Sequence, residues 1–209
     1  MNILLVDDHE VVRRGVRDLL SQEYPAAGIT EAQETAGAIT LLKGSTWDLV
    51  LLDINLPGRS GLEVLAAAQR ICPSTPVLVL SMYPESEFAV RAFKLGASAY
   101  VSKASAGAEL LVAIQKVLAG GKYVSNQFAQ KLVFQLGGDS EISLHEGLSI
   151  REFQVLRLVA LGHSIKEIAL ELESSEKTIS TYRVRLGQKL RLSGSVEIAR
   201  YALQHGLVK

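Results

Sequence analysis

Runs of consecutive apolar residues, spaced one helix apart, constrain this chain more than any other feature. Ile3-Leu4-Leu5-Val6, Leu49-Val50-Leu51-Leu52 and Val77-Leu78-Val79-Leu80 are unbroken, and Ala99-Tyr100-Val101 is a shorter run of the same kind. A strand with no polar alternation has to be buried on both faces, which is the condition of a parallel sheet covered by helices on each side. Segments 11–20, 36–42, 62–71, 87–95 and 108–118 lie between and after these runs and carry apolar residues at helical spacing. A weaker run at Gly28-Ile29-Thr30 reads as an outer strand. The expectation for residues 1–120 is a five-stranded, doubly wound parallel α/β domain of flavodoxin-like type.

Gly120-Gly121 closes the last of these helices, and the turn-forming composition through Gly137-Gly138-Asp139-Ser140 predicts a connector over residues 121–147 with a short helix near 128–136. From Leu148 onward the periodicity is helical throughout. Ser149-Ile150-Arg151-Glu152 and Ser164-Ile165-Lys166-Glu167 each have the Ser-x-x-Glu form of a capping box, and a third helix begins near Ser175. Phe153, Leu156, Val159 and Ala160 share one face of the first of these helices, while Ile179, Tyr182, Leu186 and Leu190 are placed to face the core from the third. Residues 148–209 are thus expected to form a second, all-α domain of four helices.

The formal net charge is zero, but its distribution is not even. Residues 1–120 carry 10 basic against 13 acidic side chains, and residues 148–209 carry 10 against 6. A mildly acidic front with a basic tail is expected when only one domain meets a polyanion. With 48% hydrophobic and 21% charged residues the chain has the content of a globular protein with a real core. The single cysteine, Cys72, reads as a small buried hydrophobe in a helical stretch. No apolar run approaches the length of a membrane span, and the start Met1-Asn2-Ile3-Leu4-Leu5 lacks the features of a signal peptide, so a cytoplasmic location is expected.

Functional groups of an open parallel sheet gather beyond the carboxyl ends of the strands. Asp7 and Asp8 follow the first strand, Asp53 ends the third, Ser81 ends the fourth and Lys103 follows the fifth. An Asp-Asp pair alone is an ordinary polar turn, but three carboxylates at one edge repel one another and invite a hard cation such as Mg²⁺. Asp8, Asp53 and the backbone carbonyl of Asn55 are the oxygens on offer. Asp53 is then a nucleophile toward a phosphoryl group, with Mg²⁺ and Lys103 neutralising the transferring oxygens and Ser81 donating a hydrogen bond to one of them. His9 is read as a polar residue at a helix start.

The series Val6-Asp7-Asp8-His9, Leu52-Asp53-Ile54-Asn55-Leu56-Pro57-Gly58, Leu80-Ser81 and Lys103 resembles the receiver domain of two-component response regulators. The resemblance covers residues 1 to about 120. It implies that a sensor histidine kinase donates a phosphoryl group to Asp53, that Asp7 joins Asp8 in organising the metal through water, and that Ser81 and Tyr100 move together as the switch. It also implies that Asn55 and Tyr83 flank the site where phosphoryl lifetime is tuned. Two positions depart from the usual pattern, Ser60 before Gly61 and Ala104 after Lys103.

From Lys177 to Arg191 there are five cations (Lys177, Arg183, Arg185, Lys189, Arg191) and no acid, a helix face suited to phosphates and the major groove of DNA, although a solvated charged face has the same composition. The series Leu148-Ser149-x-Arg151-Glu152, Gly162-His163-Ser164-x-Lys166-Glu167-Ile168-Ala169, Lys177-Thr178-Ile179-Ser180-Thr181-Tyr182 and Lys189-Leu190 is similar to the LuxR-type helix-turn-helix of NarL/FixJ regulators. By that resemblance Ser180, Thr181 and Val184 lie where base edges are read, Lys177, Thr178, Arg185 and Lys189 hold phosphates, and the last helix, near 195–204, helps the domain pair; helical spacing puts Gln188 on the same DNA-binding face. Ser180 and Tyr182 stand where many members carry lysine and histidine, so no relative's target sequence transfers.

The combined expectation is a transcription regulator, not an enzyme beyond slow self-phosphorylation and self-dephosphorylation at Asp53. Phosphorylation promotes a homodimer that meets two half-sites of double-stranded DNA, with RNA polymerase as a further implied partner and no membrane role. Two rivals use the same residues. One is a hydrolase of small phosphate esters, for which the sequence offers no substrate cap and no use for the second domain. The other is a constitutive DNA-binding protein whose first domain only dimerises.

Overall fold

The computed structural model describes residues 1–56, 61–83, 85–130 and 144–208, with the backbone alone at positions 86, 87 and 146. The chain divides into two compact units, Met1–Ser140 and Glu141–Lys209.

In the first unit strands and helices alternate as β1 (Asn2–Val6), α1 (Glu10–Glu23), β2 (Gly28–Ala32), α2 (Thr35–Gly44), β3 (Leu49–Asp53), α3 (Gly61–Ile71), β4 (Val77–Ser81), α4 (Glu85–Lys94), β5 (Ala99–Ser102) and α5 (Ala106–Leu118). The five strands are all parallel in the order β2-β1-β3-β4-β5. Every residue of β3 and β4 is buried, as their unbroken apolar runs demand, whereas β2 at the edge is buried only at Ala32. That difference explains why β2 was the weak signal in the sequence: a strand covered less fully has less need of consecutive apolar residues.

Alternation along the strands sorts the core into two layers. Ile3, Leu5, Leu49, Leu51, Leu78, Leu80, Ala99 and Val101 pack with Val16 and Leu20 of α1 and with Leu110, Ile114 and Val117 of α5. The opposite face carries the buried Leu4, Val6, Val50, Leu52, Val79 and Tyr100. The doubly wound α/β expectation is therefore met. Cys72 departs from its expected role: it lies one residue beyond α3 and is only partly buried. Its backbone N–H continues the helical ladder to Ala68 O at 2.8 Å, and burial raises its thiol pKa against a hydrogen bond with Thr75.

The described residues of the second unit form a 3₁₀ turn (Leu144–Gly147) and four helices, α6 (Ile150–Ala160), α7 (Ile165–Glu171), α8 (Glu176–Leu190) and α9 (Ser195–Gln204). Both expected capping boxes are present. Ser149 Oγ accepts from Glu152 N at 3.1 Å while Glu152 Oε2 accepts from Ser149 N at 2.6 Å, and the same pair of bonds joins Ser164 and Glu167. Ser175 caps α8 by accepting from Thr178 N at 3.1 Å. α6 is more deeply buried than its single predicted face, because Val155 and Leu158 are covered along with Phe153, Leu156 and Val159.

Of the connector, residues 126–130 are helical, beginning two positions earlier than the sequence predicts; the remainder of the predicted helix and Gly137–Ser140 lie outside the described residues, as do Pro57, Gly58 and Ser60. Among the described residues no helix is long and apolar enough to cross a membrane.

Candidate functional site

At the carboxyl edge of the parallel sheet, the chain brings together the side chains that the sequence singles out. Asp7 and Asp8 leave β1, and Asp53 is the last residue of β3, buried with its neighbours. Ligand atoms of Asp7, Asp8, His9 and Asp53 all lie within 4.8 Å of one another. Lys103, which follows β5, reaches back so that Nζ is 2.6 Å from Asp53 Oδ2 and 2.7 Å from Asp7 Oδ2. The ammonium thus pairs with both carboxylates, donating a hydrogen bond to Asp53 Oδ2. The other Asp53 oxygen, Oδ1, accepts from Asn55 N at 2.8 Å.

Burial pushes the Asp53 carboxyl above its ordinary value, against the opposing pull of Lys103 and the Asn55 N–H. Burial also works to lower Lys103, but Asp53 and Asp7 outweigh it and the ammonium is held above its ordinary value. The cluster therefore carries three carboxylates against one buried cation. Asp7 Oδ2, Asp8 Oδ1 and Asn55 Oδ1 are buried and accept no hydrogen bond. Three carboxylates share a single buried ammonium, so negative charge is left in excess, and this all-oxygen donor set fits a hard divalent ion.

His9 occupies the N-cap position of α1 without a side-chain capping bond, and its backbone N–H donates to Asp7 Oδ1 at 2.8 Å. The ring stays near the acids, with Nδ1 2.8 Å from Asp8 Oδ1. The sequence reading passed over Arg13, which is buried, donates from Nη1 to the Asp7 carbonyl at 2.8 Å and from Nε to Glu31 Oε2 at 2.9 Å. It braces the loop that carries the acidic pair. Its signal was available only as an arginine on the apolar face of α1, six residues after the acid it serves.

Ser81 and Tyr100 lie on neighbouring strands and meet through one loop. Ser81 Oγ accepts from Tyr83 N at 3.1 Å, and Tyr100 Oη, from a fully buried ring, donates to Tyr83 O at 3.1 Å. Gly61 is pressed against the end of β3, where an added Cβ would stand 2.3 Å from Asp53 O and 2.6 Å from Ile54 Cα.

In the second unit, Ile179, Leu186 and Leu190 are the buried side of α8, and Tyr182 is only partly covered instead of lying in the core. Lys177, Thr178, Ser180, Thr181, Val184, Arg185, Gln188 and Lys189 are all exposed. Ser180, Val184 and Gln188 also line a cavity of about 570 Å³ together with Arg183 and Arg191. Two of the five cations are tied internally. Arg183 Nη2 donates to Ser195 Oγ at 2.7 Å, and Lys189 Nζ donates to Glu152 Oε2 at 2.6 Å.

Residues 3–115 match the response regulator receiver domain, and residues 146–202 match the bacterial regulatory proteins of the luxR family. The chain is 33% identical over 208 residues to Response regulator UvrY of Escherichia coli strain K12, covering 99% of this chain and 95% of that protein. It is 33% identical over 209 residues to Response regulator GacA of Pseudomonas aeruginosa, covering 100% of this chain and 98% of the relative. Among solved structures it is similar to RcsB from Salmonella enterica serovar Typhimurium bound to promoter rprA in the presence of the phosphomimetic BeF₃⁻. That likeness has a TM-score of 0.62 at 26% identity over 96% of this chain and 98% of RcsB. A LuxR-family two-component response regulator from Aurantimonas sp. SI85-9A1 matches 66% of this chain and 98% of its own, with a TM-score of 0.60 and 36% identity.

Proposed function

The chain belongs to the two-component response regulators that join a receiver domain to a LuxR-type helix-turn-helix, a DNA-binding family, and on that premise we propose that Asp53 is its phosphoacceptor and α8 its DNA-reading helix. The observation that carries the first half is Lys103 Nζ at 2.6 Å from Asp53 Oδ2 within a ring of carboxylates that no other described cation neutralises. Asp53 attacks the phosphoryl group of a sensor histidine kinase, forming a new P–O bond as the bond to the kinase imidazole breaks. Lys103 and the Asn55 N–H hold the carboxylate in place, and Lys103 and the Ser81 hydroxyl then meet the negative oxygens of the product. Asp8, Asp53 and the Asn55 carbonyl, with Asp7 through water, would hold Mg²⁺, which when bound supplies positive charge to those same oxygens.

In this reading the receiver spans residues 1–120, the connector 121–147 and the helix-turn-helix 148–209. Ser180, Thr181, Val184 and Gln188 face base edges, and Lys177, Thr178 and Arg185 hold phosphates. Lys189 is a weaker candidate for phosphate, because it is already committed to a buried carboxylate. Capture of the phosphoryl oxygens by Ser81 draws the Tyr83 loop with it, and Tyr100, bonded to the same loop, follows. The resulting population shift favours a homodimer, paired in part through α9, that meets two DNA half-sites in the cytoplasm and engages RNA polymerase.

The test is DNA binding across a random-sequence library, with and without a small phosphodonor plus Mg²⁺, in wild type and Asp53→Asn. Selective binding that strengthens only in the phosphorylatable protein is expected. Binding indifferent to both the donor and the substitution would leave a constitutive DNA-binding protein, and rapid turnover of phosphate esters would return the hydrolase reading.

A further inference from the structure

The chain leaving α5 does not simply depart from the receiver. Gly121 N donates to Lys116 O at 3.0 Å, and Tyr123 N then donates to Ser98 O at 3.0 Å, pairing Tyr123 with Ala99 beside β5 as a short parallel bridge. The Tyr123 hydroxyl donates to Glu109 Oε2 at 3.2 Å; burial and that carboxylate push its pKa up to about 12, so it stays a donor. Two residues later the chain reaches the start of α4. Ser125 N donates to Glu85 Oε1 at 3.0 Å, and Ser125 Oγ donates to Glu85 Oε2 in a second, short bond. The same hydroxyl accepts from Phe128 N at 3.2 Å and so opens the helical residues 126–130, whose Phe128 is buried.

Glu85 is the first residue of α4 and stands two positions after Tyr83, the residue bonded to both Ser81 and Tyr100. The Tyr83 ring packs on Phe88, one helical turn along α4 and buried, with centroids 5.0 Å apart. Lys103 N donates to Ser81 O at 2.7 Å, so a contiguous set of contacts runs from Asp53 and Lys103 through Ser81 and Tyr83 to the first turn of α4, and from Glu85 to the origin of the connector. The two halves of the set meet at Tyr83, whose backbone N–H the Ser81 hydroxyl holds and whose ring packs on α4.

We propose that the Glu85–Ser125 pair is a latch that fastens the interdomain connector to the first turn of α4, so that the loop displaced on phosphorylation sets the conformation of the connector and not only the surface of the receiver. The latch rests on the phosphorylation reading above. Ser125 suits the task because its hydroxyl serves two segments at once: it donates to Glu85 and accepts from the first turn of the connector helix. Loss of one bond weakens the other. Ser125 and Glu85 are positioning residues and touch none of the reacting atoms.

The test uses the full chain with a small phosphodonor and Mg²⁺. Intact mass follows phosphoryl uptake at Asp53, DNA affinity is read on a site selected from the random library, and amide hydrogen exchange is followed over residues 122–130. Wild type is expected to take up the phosphoryl group, gain DNA affinity on the order of tenfold, as couplings between sites commonly do, and change its exchange over 122–130. Ser125→Ala and, independently, Glu85→Ala take up the phosphoryl group as wild type does, yet the gain falls to roughly twofold or less, as expected of a lost coupling, and the exchange no longer responds. Ser125→Thr, which keeps the hydroxyl, restores both. If Ser125→Ala and Glu85→Ala keep the full gain, the latch is overturned while the phosphorylation reading stands. If wild type itself is phosphorylated and gains nothing, the phosphorylation reading fails and the latch falls with it.

Discussion

Lys189 Nζ lies 2.6 Å from Glu152 Oε2, joining the end of α8 to a carboxylate that is only 4% exposed at the start of α6. The same carboxylate caps α6 through Ser149, so one side chain organises two helix ends. Lys189→Ala leaves a buried charge without its partner. Because the lysine is itself 44% exposed, the cost is set below that of a fully buried pair, at about 1–3 kcal/mol. Chemical denaturation of the full chain should show this loss in the transition of the second unit. A loss of DNA affinity with unchanged stability would instead return Lys189 to the phosphate contacts.

Glu152 also predicts a pH dependence. Burial alone would raise its pKa, but Lys189 and Ser149 hold it below the ordinary value. A carboxylate depressed in the folded state contributes stability that is fully present above its unfolded value, about 4.3, and is lost as pH falls through the lower folded value. Melting temperature of the second unit should therefore fall with pH below about 4.3, and Glu152→Gln should flatten that slope while lowering stability at neutral pH. An unchanged slope in the variant would assign the acid sensitivity to other carboxylates.

Mg²⁺ should stabilise the receiver unit, because the carboxylates of Asp7, Asp8 and Asp53 are gathered around one buried ammonium only in the folded chain. At a hundredfold excess over Kd the gain is about 2.7 kcal/mol. Thermal denaturation with and without Mg²⁺ reads it directly. Asp8→Asn should abolish the gain, and a variant that keeps it would move the ion elsewhere.

Gly61→Ala should damage the site without touching a reacting group. Its Cβ would stand 2.3 Å from the Asp53 carbonyl, so the end of β3 must shift at a cost of about 1–3 kcal/mol. Phosphoryl uptake from a small donor should slow, and the melting temperature of the receiver should drop. Normal uptake would mean that α3 moves aside without disturbing Asp53.

On α8, Lys177→Ala should weaken binding to all sequences and reduce the salt slope of log K by about 0.9. Val184→Ala should act differently. An apolar side chain 60% exposed on a polar face suits the methyl group of a thymine, so selectivity at one base should fall by about 1 kcal/mol with the salt slope unchanged. Thr181 Oγ1 donates to Lys177 O at 2.9 Å in the free protein, which makes the consequence of Thr181→Ala depend on whether that bond opens on DNA. Binding measured on single-base variants of the selected site separates these cases.

Asp53, Ser81 and Lys103 were legible in the sequence because each sits at the end of a strand or just beyond it, and strand ends in a parallel sheet converge by topology alone. Ser149, Ser164 and Ser175 were legible because a helix start is a local event whose partners lie three residues away. Tyr182 and Cys72 were misjudged for a related reason: periodicity says which face a residue occupies but not where the neighbouring element stops covering it.

The sequence by itself determined the alternation of strands and helices, the two-unit organisation, the acidic edge and the basic helix, since all of these follow from side-chain periodicity, caps and strand order. Only the tertiary structure decided which charges are spent on the fold. Arg13 on Asp7, Lys189 on Glu152, Arg183 on Ser195 and Ser125 on Glu85 join residues 6, 37, 12 and 40 positions apart. No local pattern encodes such pairs, because a hydrogen bond depends on distance and direction in space, and those are fixed only when the core brings separate elements into contact.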